Sequence, residues 1–151
     1  MALFTKKKLA VVIFFNLAIV LAATAICTAK EDSSSTGQGN DETWLTESVK
    51  YLSVLKEDIQ LVEVAENNND DSALAEAGKK MHDDCDWGLT QSKKSKVSIQ
   101  IRYVKILYEQ VLIDYRDAGE AFSQNDRTTG DDKVDQGKDD TAKFKKAVAD
   151  L

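Results

Sequence analysis

Proline is absent from the 151-residue chain, histidine occurs once and cysteine twice. Without proline there is no fixed kink or rigid turn, and the breaks between elements fall to Gly, Asn, Asp and Ser. A single histidine, His82, rules out the paired Glu-x-x-His ligands of a ferritin-like di-iron bundle. The cysteines, Cys27 and Cys85, are too far apart in sequence for a C-x-x-C-H haem attachment. They are also too few for a structural zinc site built from two Cys or His pairs. Bases are scarce as well, 20 against 26 acids for a net charge of −6. A phosphate backbone needs a net basic face, so no nucleic-acid partner is expected. No Ser-His-Asp context marks a nucleophile, and the chain reads as noncatalytic with no cofactor called for.

The longest apolar run is at the start. Lys6, Lys7 and Lys8 precede an almost unbroken apolar segment from Leu9 to Ala29, ending in the small residues Ala23, Thr24, Ala25, Thr28 and Ala29. A basic start, an apolar stretch and small residues before a cut are what the secretion machinery reads. Residues 1–29 are therefore a signal peptide or an N-terminal membrane anchor, since the run also approaches the roughly 20 residues that span a bilayer. Cleavage after Ala25 or after Ala29 satisfies the small-residue rule. In a third reading Cys27 carries a lipid, though Ile26 stands where lipoprotein signals have a small residue. All three readings place the rest of the chain outside the cytoplasm, secreted or held at the outer face of the cytoplasmic membrane.

Without residues 1–29 the chain is more acidic, with 17 bases against 26 acids and a net charge of −9. Residues 30–42, KEDSSSTGQGNDE, contain no large apolar side chain and read as a flexible polar tether. Residues 43–151 read as one domain, all-α, with apolar positions at helical spacing in four segments. The first spans about 41–66, with Leu45, Val49, Leu52, Leu55, Ile59 and Val62 on one stripe. Asn67 to Asp70 break it, with Asp71 or Ser72 as the next cap. The second spans 72–88, with Leu74, Ala77, Met81 and Cys85 on its apolar side, Gly88 as its end and a polar turn from Thr90 to Lys96. The third spans 95–124. Val97, Ile99, Ile101 and Tyr103 alternate like a strand, but Val97, Ile101, Val104, Tyr108, Val111, Tyr115, Ala118 and Phe122 hold helical spacing for longer, with Ile99, Ile106 and Ile113 as a flanking stripe. The fourth spans 131–151 after a loop from Asn125 to Gly130, with acids in its first turns and lysines near its end, as the helix dipole favours. Four such helices with short connections predict an up-and-down four-helix bundle.

The candidate chemistry is one small constellation. His82, Cys85 and Asp86 lie within about one helical turn, a spacing at which imidazole, thiolate and carboxylate can reach one metal ion. Met81 or His82 can serve as an axial haem ligand, with no second ligand evident. The alternative for Cys85 is a small buried apolar residue, or, as the lone cysteine of an exported domain, a bridge between two molecules. Asp doublets such as Asp70 and Asp71 lack the EF-hand pattern, and Asp126 to Asp135, with Gly130 between, comes nearest to it. Lys93, Lys94, Lys96, Arg102 and Lys105, with Tyr103, read as a solvated helix start or as a surface for anionic lipid headgroups or an acidic polymer. Trp44 is an interfacial residue or a core edge. The functional expectation is a noncatalytic binding or interaction module of the cell envelope, acting on a partner protein or on itself. The other reading is a small metal- or cofactor-carrying bundle centred on His82 and Cys85.

Overall fold

The computed structural model describes residues 38–151, and the leader, Cys27 and the first part of the tether lie outside those residues. Four helices follow one another, α1 Gln38–Asn67, α2 Asp71–Lys94, α3 Arg102–Ser123 and α4 Arg127–Ala149, with no strand among the described residues. Each packs on the next, α3 lying extensively against both α2 and α4, while α1 rests mainly on α2. Contacts pair Tyr51 with Asp84, Gly78 with Gly119 and Tyr115 with Gly137, so sequence positions run in opposite senses across each interface and neighbouring helices are antiparallel. No helix among the described residues is long and apolar enough to cross a membrane.

Two hairpin turns use the same device. Asn69 and Asn125 adopt positive φ of 50° and 60°, which asparagine tolerates better than most residues. The next residue then caps the following helix: Asp70 accepts from the Ala73 N–H at 3.0 Å and Asp126 from the Thr129 N–H at 3.1 Å. The cap of α2 is thus Asp70, not Asp71 or Ser72, and α4 starts at Arg127, four residues before the expected Asp131. Gly130 falls inside that helix rather than in the loop, and the Phe122 ring lies where its Cβ would stand.

The expected bounds fail in three further places. α1 begins at Gln38, so residues 38–42, expected as tether, are helical. α2 does not stop at Gly88 but continues to Lys94, because the missing Cβ of Gly88 admits the Tyr51 ring and Leu89 and Ser92 beyond it are buried. Lys93 and Lys94 then close α2 where its dipole favours cations. α3 begins at Arg102 rather than 95, with no side-chain cap at Ile101. The preceding segment crosses the end of the bundle, held by the Ser98 N–H donating to Asp41 Oδ1 at 2.8 Å and Lys105 Nζ donating to the Ser95 carbonyl at 2.5 Å.

The core runs the length of the bundle, from Trp44, Tyr108 and Phe144 at one end through Leu55, Met81, Val111 and Leu112 to Leu74 and Phe122 at the other. At the first end Trp44 meets Tyr108 edge-on at 5.6 Å and Tyr108 meets Phe144 at 5.5 Å, tying α1, α3 and α4 together. The buried line of α1 is Trp44, Ser48, Leu55, Asp58, Val62 and Ala65. It is rotated from the expected stripe, whose Leu45, Val49, Leu52 and Ile59 are only half-buried at its margin. Trp44 is therefore core rather than interfacial.

Candidate functional site: an aromatic groove between α1 and α2

Tyr51, on α1, lies flat against α2 because Gly88 presents no side chain to it. Its hydroxyl donates to the Asp84 carbonyl at 2.5 Å, which fixes the ring. Trp87, one residue from Gly88, stacks on Tyr51 with centroids 5.4 Å apart and planes inclined by 29°. Most of the indole remains in solvent, at 56% exposure. Beside this stack opens a groove of about 560 Å³, with Trp44, Val54 and Tyr108 as its apolar wall and Lys50, Lys94, Glu47, Gln91 and Ser95 around its mouth. Ser92 lines it too and donates to Glu109 Oε1 at 2.8 Å. Burial raises the pKa of Tyr108 and Tyr51, with the Asp84 charge adding to the effect at Tyr51, so both phenols stay protonated. The lining offers a flat aromatic face with hydrogen-bonding groups around it, the composition of a recognition surface.

Behind Tyr51 lies a cluster that the sequence did not announce. Asp58 is fully buried on the core line of α1, and Lys80 of α2 reaches it at 2.5 Å while also holding Asp84 at 2.7 Å. Burial pushes the Asp58 carboxyl above its usual range despite that partner, and its Oδ2 has no hydrogen-bond partner. The two carboxylates hold the Lys80 ammonium firmly protonated. Asp58 falls three residues after Leu55 and four before Val62, so its spacing marks it as a core position; its charge concealed it.

The expected metal ligands are not brought together. Cys85 is fully buried, and burial followed by the nearby Asp58 and Asp84 charges pushes its thiol up, away from the thiolate form. His82 is partly exposed with Nδ1 3.3 Å from Asp83 Oδ1, and exposed Asp86 lies 3.8 Å from Arg116 Nη1. Among the described residues no three His, Cys, Asp or Glu side chains gather closely enough to hold a metal ion. Buried Cys85 cannot meet a second molecule unless the core opens. The Asp doublets serve helix ends and ion pairs: Asp70 and Asp126 are caps, Asp71 bonds Arg127 at 2.8 Å and Asp140 bonds Lys143 at 2.5 Å. No family model, curated protein or solved structure matches the chain.

Proposed function

We propose that this protein is an exported or membrane-anchored binding module that acts without catalysis at the outer face of the cytoplasmic membrane or in the secreted space. A partner protein engages it at the groove between α1 and α2. The observation that carries the reading is the exposed Trp87 stacked on an immobilised Tyr51. A large aromatic ring held rigid and left in water loses little further entropy when covered, the property of interface anchors. The leader supplies the address, and the buried, protonated state of Cys85 argues for packing rather than chemistry there.

A photo-crosslinking amino acid placed at Lys94, on the groove rim, and at exposed Asp132, on α4, tests this in cells producing the full chain. The expected result is a discrete protein adduct from position 94 that disappears in Trp87→Ala, and none from position 132. Equal adducts from both positions, or an adduct at 94 indifferent to Trp87→Ala, refutes the groove as the site.

A further inference from the structure

The charge of this acidic protein is distributed unevenly along the bundle. The antiparallel pairing divides it into two ends. One comprises residues 55–83 and 117–135, with 14 acids and 5 bases. The other comprises 38–54, 84–116 and 136–151, with 10 acids and 11 bases. Within the second end the stretch from Trp87 to Tyr108 contains five bases and no acid. It includes the segment that crosses the bundle end and the first turns of α3, where Lys93, Lys94, Lys96 and Arg102 are all exposed.

The same surface carries three large apolar side chains that stand in water. Ile99 is 73% exposed, Tyr103 64% and Ile106 58%, and Tyr103 and Ile106 lie on the outward side of α3, opposite buried Val104, Tyr108 and Val111. The flanking isoleucine stripe of the sequence thus faces solvent at this end instead of joining the core. The end is also where the chain enters the bundle, since Asp41 of α1 holds Ser98 directly. The apolar segment ends at Ala29 and α1 begins at Gln38, so the eight intervening residues reach at most about 28 Å.

We propose that this end of the bundle docks on an anionic lipid bilayer, Ile99, Tyr103 and Ile106 entering the interface while Lys93, Lys94, Lys96 and Arg102 meet the headgroups. A basic ring around apolar side chains is what a surface with negative headgroups above hydrocarbon accommodates. A soluble polyanion uses the charges and leaves the isoleucines in water, which is why lipid is the partner. The acidic far end is repelled from the same surface, so the charge asymmetry orients the bundle as well as attracting it.

The test uses the full chain in phosphatidylcholine vesicles with and without phosphatidylglycerol, each carrying a diazirine-labelled lipid, with adducts mapped by peptide mass spectrometry. Residues 1–29 can be labelled in both. The expected result is labelling within 95–106 that appears with phosphatidylglycerol and is lost in Ile99→Ser/Ile106→Ser. Changing Lys93, Lys94, Lys96 and Arg102 to Gln lowers it at least about tenfold, since each basic group near such a surface contributes roughly a fivefold factor. These side chains are exposed, and unchanged circular dichroism verifies that the variants fold. Labelling confined to 1–29, equal labelling in the two vesicle types, or labelling that survives the serine changes overturns the proposal. The last outcome would leave a purely electrostatic contact.

Discussion

Replacing Gly78 by alanine should destabilise this protein, although the same change in an exposed helix stabilises by about 1 kcal/mol. The reason lies in how closely α2 and α3 approach. A Cβ on Gly78 would stand 2.6 Å from the Ser123 amide nitrogen and 2.7 Å from the Gly119 carbonyl oxygen. Both are backbone atoms that cannot rotate away, so reaching an ordinary contact distance of 3.4 Å moves the helices apart by about 0.8 Å. A gap of about that size forfeits a quarter to a half of each dispersion contact across the interface. Leu74, Met81, Ala118 and Phe122 are fully buried along it. With about 1.5–3 kcal/mol of burial per large side chain, the loss comes to roughly 3 kcal/mol. After the gain in helix propensity, a net loss of about 2 kcal/mol remains, a fall of roughly 10 °C in Tm for a domain of this size. Gly119→Ala meets the Gly78 carbonyl oxygen and the His82 amide nitrogen, each at 2.6 Å, and should behave alike. Because one separation of the helices relieves both clashes, the double variant should cost clearly less than the sum of the singles. Urea and thermal unfolding followed by circular dichroism measure all three, with exposed Ser53→Ala in α1 as the reference for helix propensity. A neutral or stabilising Gly78→Ala, or strict additivity in the double variant, would refute the close approach.

Two further outcomes follow from buried groups. Burial raises the carboxyl pKa of Asp58 and of Asp114, the latter bonded by Gln110 Nε2 at 3.1 Å and further raised by the Asp140 carboxylate. An acid raised on folding keeps its proton in the native state after the unfolded chain has lost it near pH 4, so stability falls as pH rises above that value and levels off beyond the folded pKa. Unfolding free energy should therefore be larger at pH 5 than at pH 7.5, and Asp114→Asn should flatten that slope and add about 1 kcal/mol at pH 7.5; an unchanged slope in urea titrations rules the account out. Cys85 should resist maleimide in the native state and react fully in urea, with modification located by peptide mass spectrometry; rapid native labelling of Cys85 would show that its site is open.

The four helices were legible because their apolar spacing is a local property, sustained over five or more turns in α1 and α3, and because Asn followed by Asp marks both hairpin turns. The proposed groove was not legible. Tyr51 and Trp87 are 36 positions apart in sequence and meet only because Gly88 lets one helix lie against the other. The same glycine read as a helix end, since an isolated glycine signals a stop unless a neighbour's ring is known to need the space. The basic cluster was visible as composition; its sharing of one end with exposed isoleucines and the entry of the chain depends on the fold.

The sequence by itself determined the number of helices, the two Asn-Asp turns, the acidity and the apolar leader, all set by neighbours a few residues apart. Tertiary structure decided which face of α1 turns inward. Two overlapping stripes that share Leu55 and Val62 competed there, and the winner carries Ser48 and Asp58, polar residues that the core accepts because Lys80 and Tyr108 reach across to meet them. Tertiary structure also buried Cys85 and Trp44 while leaving Trp87 in water. Residue type fixes the free energy gained by burial, but only the packing of a second helix determines which side chains are covered.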